Sequence, residues 1–395
     1  MMFIYNITHI LLLSLLPTLA SFFHFYEGNV QRILTLIILS FSLLFSKFFF
    51  KSDVSYKIKC ILHNRLYIFL IITTFISICH ILIERQSTSI NFLDFIAPCC
   101  LIIHSLFFEK KILENTFRAI KWILAFWIFF GFIELLLNIF IEPDFCLPHC
   151  IYYNWRPNSS IFLQNLFGLH QKISLESLGL NTQEFSIVLG LSLVILLANL
   201  KHKFNLYSLC GLLIVIFFQV FSLSFNVLAA EIISILIIVF NHKEYQLKNV
   251  FFIFIFALFL SVIAGYFLRF NFFSNTHYYL NEIFFVPFRY LISLNWYEIL
   301  FGLMSTQSYP AENRIFVLLY RFGLIWFLFA IISSIHFYKS LAFLDKNDSV
   351  QILRPLFVYL FIVSIHNNLW HTISGTLIFS LLIIFFYESL KNYKL

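Results

Sequence analysis

Long runs of apolar residues alternate with short polar connections along the chain, and the runs recur from one end of the sequence to the other. Each run of about twenty residues matches the length of helix needed to cross a bilayer. The first six cover about 4–25, 31–50, 64–83, 91–108, 120–141 and 183–200. Six more follow over about 205–223, 225–241, 249–268, 314–338, 352–366 and 369–387. Helices are the expected element, because unpaired backbone groups are costly in lipid and the runs lack the alternation of barrel strands. The pattern therefore predicts an all-α polytopic membrane protein, a single transmembrane domain over residues 1–395 with about twelve spans. No basic residues precede Ile10, Leu11, Leu12 and Leu13 and no small-residue cleavage site follows, so the first run reads as a span rather than a secretion signal.

Composition supports the same class. Hydrophobic residues make up 61% of the chain and charged residues 11%, with a mean hydropathy of +0.90. Such a chain is too apolar for a soluble fold.

Charge sets the orientation. Lys47, Lys51, Lys57, Lys59, Arg65, Lys110, Lys111, Arg118, Lys121, Lys201 and Lys203 fall on alternating connections. So do Lys243, Lys248, Lys339, Lys346, Arg354, Lys391 and Lys394, which brings this set to 18 of the 26 basic residues. By the positive-inside rule that face is cytoplasmic, and both termini lie on it. The remaining eight are Arg32, Arg85, Arg156, Lys172, Arg269, Arg289, Arg314 and Arg321. Seven of these eight are arginines, whereas the cytoplasmic set has 15 lysines and three arginines. A topogenic signal has little reason to distinguish the two cations. Arginine differs in offering a planar fork of donors to paired phosphate oxygens and in staying charged in a low dielectric, which suits binding of a diphosphate at a membrane surface.

Two outer connections are long, about 142–182 and about 269–313, and binding groups concentrate in such loops. The second ends in Glu312, Asn313 and Arg314, with Arg321 two helical turns beyond Arg314 and therefore on the same face. A carboxylate and two guanidiniums at one span mouth fit glycosyl transfer from a lipid diphosphate to a sugar hydroxyl. Glu312 would accept the hydroxyl proton, and Arg314 and Arg321 would stabilise the departing diphosphate. Arg289, Asn313, His277, Arg156 and Lys172 are the candidate substrate-binding residues around them, with His277 a second candidate base. The aromatic stretch Asn295, Trp296, Tyr297, Glu298 reads either as an interfacial belt or as a sugar-stacking surface.

Other chemistries find little footing. Asn181 and Glu184 have the spacing of a helix cap, and Cys146 and Cys150 bracket a short loop without a second ligand pair. Glu142, Pro143 and Asp144 have an acid-x-acid spacing, but at the end of the fifth span. No phosphate-cradling glycine loop, zinc motif or nucleophile elbow is present, so no metal, cofactor or nucleic-acid partner is expected. Ionisable residues inside spans are few, with Asp94, Glu134 and Glu231 the exceptions.

Phe301-Gly302-Leu303, a polar gap, and then Glu312-Asn313-Arg314 leading to Arg321-Phe322-Gly323-Leu324-Ile325 resemble the bacterial O-antigen polymerase and O-antigen ligase superfamily. Leu178 to Phe185 resembles that family's entry into a span, and Ser222-Leu223-Ser224 its Ser-rich turn, although no proline follows Asn181. Many of the ligases carry histidine where this chain has Glu312, which favours a polymerase reading. The resemblance implies a multi-pass inner-membrane enzyme that joins undecaprenyl-diphosphate-linked repeat units into O-antigen or capsular polysaccharide on the periplasmic face, without a metal. It implies a lipid-linked glycan substrate in membrane lipid, and a flippase and a chain-length regulator as partners. An O-antigen ligase and a lipid-linked oligosaccharide flippase are the alternatives.

Overall fold

The computed structural model describes residues 54–84, 110–140, 182–202, 204–222, 225–240, 285–302, 314–342 and 352–366, with a few isolated positions between them. Every regular element among them is helical. They are α1 (Val54–His63), α2 (Arg65–Glu84), α3 (Lys110–Phe140), α4 (Thr182–His202), α5 (Leu206–Ser222) and α6 (Phe225–Phe240). Beyond these come α7 (Val286–Ser293), α8 (Trp296–Phe301), α9 (Arg314–Ala342) and α10 (Leu353–His366). Six of them, α2, α4, α5, α6, α9 and α10, coincide with expected spans to within a few residues, and α3 begins about ten residues earlier than its apolar run suggested. The expected spans at about 4–25, 31–50 and 249–268 and most of the first long loop lie outside the described residues, as do those at about 91–108 and 369–387 apart from isolated positions.

Helix α4 is the centre of the bundle, packed by α3, α5, α6 and α10. From Phe185 to Ile195 every residue is buried, whichever way it points. A helix that is apolar on all sides and buried on all sides has neighbours around its whole circumference. Phe185 stands edge-on to Phe218 of α5 at 6.3 Å, and its ring occupies the space left by Gly131 of α3. Outward faces are apolar as well: Phe75, Trp122, Phe129, Leu213 and Phe217 are exposed. Contiguous apolar surface of this kind marks a partner or a lipid phase.

Local polar residues decide where helices begin. Asn64 interrupts α1 and α2, accepting the Leu66 amide at 3.0 Å through its side chain, and Asn205 does the same for Tyr207 at the start of α5. Both are N-caps, which satisfy amides that the first helical turn leaves without carbonyl partners. At Asn64 the chain turns through 86° between Ser55–His63 and Arg65–Cys79, so α1 and α2 form either a broken span or a re-entrant pair.

Among the described residues one helix, Ile315–Leu341, is long and apolar enough to cross a membrane, with a mean hydropathy of 2.4 over its most apolar stretch. Only 28% of that stretch is buried, so most of its apolar surface faces outward rather than into a core. Five shorter apolar helices accompany it, Ile120–Ile133, Phe185–Lys201, Leu206–Gln219, Val227–Val239 and Leu353–Ser364.

Candidate functional site

The helix that carries two of the expected site residues is not continuous. Within α9, Gly323 has φ 80° and ψ 170°, which separates a first segment ending at Phe322 from a second beginning at Leu324. A positive φ of this size is open to glycine and strained for residues with a Cβ. The break is where α8 arrives. Gly302, the C-cap of α8, has φ 85°, and its amide bonds the Glu298 carbonyl at 2.9 Å. A Cβ on Gly302 would stand 2.8 Å from the Gly323 nitrogen, and a Cβ on Gly323 would stand 2.5 Å from the Gly302 nitrogen. Backbone therefore lies directly on backbone, and both glycines are needed for the approach.

The short helices α7 and α8 fall inside what the sequence presents as a long loop. Pro287 starts α7, where its missing amide costs nothing. Asn295 and Glu298 form a reciprocal capping box at the start of α8, with the Glu298 carboxylate accepting the Asn295 amide at 2.9 Å. That use of Glu298 gives it a local structural role. Further tethers hold α7 to the first segment of α9: the Tyr320 hydroxyl donates to the Pro287 carbonyl, and the Tyr290 and Tyr320 rings meet edge to face at 5.3 Å. The second segment is anchored to α2, where the Trp326 indole donates to the Thr73 hydroxyl at 2.8 Å and its ring lies 5.1 Å from Phe69.

Three expected site residues sit on this assembly. Arg289 is exposed on α7. Arg321 is half-buried on α9, two residues before the break, with its guanidinium 5.6 Å from the Phe322 ring. Arg314 is the first residue of α9 and is joined to Arg321 by two unbroken helical turns, about 10 Å of rise, so both occupy one face of the first segment. Glu312, Asn313, Arg156, Lys172 and His277 lie outside the described residues, as do Cys146, Cys150 and Asn181. The two short helices and their flanks expose Phe285, Phe288, Trp296, Tyr297 and Phe301, and α7 also exposes Arg289. Such a surface is chemically suited to sugar faces and to headgroup-level lipid alike, and its arginine to anionic oxygens.

Sequence reasoning missed the role of Gly302, Gly323 and Tyr320 in joining these elements. The available signal was the pair of glycines flanking a polar gap, since a glycine in a helical run marks a close approach or a break. Among the described residues no three His, Cys, Asp or Glu side chains lie together as a metal site would require. Set against family models, curated proteins and solved structures, the chain has no match.

Proposed function

We propose that this chain is a polysaccharide polymerase of the bacterial inner membrane, with about twelve spans, both termini in the cytoplasm and its active face on the periplasmic side. Its substrate is an oligosaccharide repeat unit on undecaprenyl diphosphate. In the reaction an acceptor sugar hydroxyl attacks the anomeric carbon of the growing chain. The bond from that carbon to the diphosphate oxygen breaks, and the lipid diphosphate leaves with the electron pair. Glu312 takes the hydroxyl proton, while Arg314, Arg321 and Arg289 stabilise the negative charge gathering on the leaving group. Asn313, His277, Arg156 and Lys172 complete the substrate-binding set.

One observation supports this reading more than any other. The Gly302 and Gly323 segments on which the family resemblance rests are pressed backbone to backbone where α8 meets α9, with Arg321 on α9 and Arg289 on α7, which Tyr320 tethers to the same segment of α9. Arginines on packed helices are better pre-organised for a diphosphate than arginines on a free loop.

Replacing Arg314 or Arg321 by alanine is expected to abolish long chains while single lipid-linked units accumulate. The readout is a length profile of the glycan in cells that make the matching repeat unit. Chains of normal length at normal protein levels would remove both residues from the site. Purified protein given lipid-linked units separates the alternatives. Longer products mark a polymerase, transfer to a lipid A core acceptor marks a ligase, and transbilayer movement without new bonds marks a flippase.

A further inference from the structure

The least expected polar group in the bundle is Glu231. It lies in the middle of α6, is 2% exposed, and its Oε1 has no hydrogen-bond partner. Three other elements meet it. Gln219 reaches the carboxyl from α5 and is itself buried. From α10 comes Tyr359, fully buried, and from α4 comes Gly190, whose missing side chain leaves the space that both groups occupy. A Cβ at residue 190 would stand 2.6 Å from Glu231 Oε1 and 2.7 Å from Tyr359 Cζ, and would overlap the tyrosine hydroxyl. One turn along both helices, the Ser234 hydroxyl bonds the Ala230 carbonyl at 2.8 Å and the Pro355 carbonyl at 3.1 Å, which fixes α6 against α10.

Donor bookkeeping identifies what is missing. The Tyr359 hydroxyl donates to the Ile187 carbonyl at 3.0 Å, so its only proton is used there and it has just lone pairs to offer Glu231. Gln219 is a donor to the carboxyl, but an Oε1 facing those lone pairs in its charged form is both desolvated and repelled, an arrangement that buried charges avoid. A cation between Oε1 and the phenol oxygen removes both difficulties. It is either a proton on the carboxyl or a small monovalent metal ion such as Na⁺. Other charged groups on the packed helices stand elsewhere. Lys201 of α4 donates to the Ile238 carbonyl, about two turns along α6. Arg354 of α10 lies over the Tyr338 ring at 5.7 Å.

We propose that Glu231, with Tyr359 and Gln219 around its carboxyl, is a buried binding site for one exchangeable monovalent cation. This does not depend on the glycosyl-transfer reading. The site is formed where α4, α5, α6 and α10 meet. Ionisable groups in such positions are characteristic of ion and proton pathways.

The test uses dicyclohexylcarbodiimide, which adds covalently to protonated carboxyls in apolar surroundings, on the full-length protein in lipid nanodiscs. Mass spectrometry of the peptide containing Glu231 reads the adduct. In sodium-free buffer the labelled fraction is expected to fall by at least about tenfold as pH rises through the site's midpoint. Protection by added NaCl at fixed pH identifies Na⁺ as the ligand, and an effect of pH alone identifies the proton. Glu231→Gln removes the adduct from that peptide. Tyr359→Phe takes away the lone pairs that repel the carboxylate and is expected to move the midpoint to lower pH. An adduct that is absent at every pH, or that changes with neither pH nor NaCl, overturns the proposal, and both results are read on the unmodified protein.

Discussion

The helices around α4 and the assembly of α7, α8 and α9 are built by opposite means. Around α4, side chains fill the space between helices: Phe185 enters the gap at Gly131, and Phe218 meets both Phe185 and Phe132 edge to face. At the junction of α8 with α9, side chains are excluded and backbone meets backbone at two glycines with positive φ. Interdigitated side chains tolerate small rearrangements. A backbone contact leaves little room for adjustment, so it fixes α8 against the first segment of α9. The difference suggests that the first region provides stability and the second positioning.

The sharpest way to break the contrast is Gly323→Ala. The added Cβ meets the Leu300 carbonyl and the Gly302 nitrogen while the residue is forced to keep a positive φ. Backbone strain and overpacking together cost about 4 kcal/mol at the junction. The expected outcome is loss of long glycan with accumulation of single units. Hydrogen exchange should rise in α7 and α8 while α4 stays protected. Faster exchange in α4 to the same extent would show that the two regions are one cooperative unit.

Most of the helical framework was legible in the sequence because length and apolarity are local properties. The run from Phe185 to Leu200 reads as a helix wherever it is placed, and its all-round apolarity already indicates a central position. The hairpin of α7 and α8 was not legible as structure. Helices of eight and six residues are too short to show a period, and their exposed aromatics read equally well as a loop, although the Asn295 and Glu298 spacing is a capping box. The break at Gly323 was hidden for the converse reason, since the apolar run from Ile315 to Leu341 passes through it without a polar residue to mark it apart from Arg321. Contacts such as Glu231 with Tyr359 depend on which helices become neighbours, and no local pattern encodes that. Of the expected site, Arg289, Arg314 and Arg321 fall on joined elements, whereas Glu312, Asn313, His277 and the first-loop residues lie outside the described residues.

A second variant probes the other side of the comparison. Phe185→Ala empties a site in which the ring touches both α3 and α5. In lipid the alanine variant loses mainly dispersion and packing, because the surroundings of an unpacked helix are as apolar as the core. The cost is therefore below the usual range for a buried phenylalanine, about 2 kcal/mol. Thermal unfolding in detergent should shift to lower temperature, while glycan length stays normal below that midpoint. A variant with unchanged melting and shortened chains would reverse the assignment of roles to the two regions.

The mildest variant addresses how α7 is held. Tyr320→Phe keeps the ring, and so keeps the edge-to-face contact with Tyr290, but removes the hydroxyl that donates to the Pro287 carbonyl. A hydrogen bond lost from a buried donor costs about 1 kcal/mol, and here the carbonyl left behind is at the first turn of α7. That energy is spent on the docking of one short helix rather than on the bundle. The global melting temperature should barely move, and hydrogen exchange should rise in α7 alone. If Arg289 acts on the same diphosphate as Arg321, the looser helix should lower the rate of chain growth several-fold at limiting substrate, without shifting the melting curve. A variant that grows chains at the normal rate, with α7 exchange raised, would leave Arg321 and Arg314 as the working pair and remove Arg289 from it.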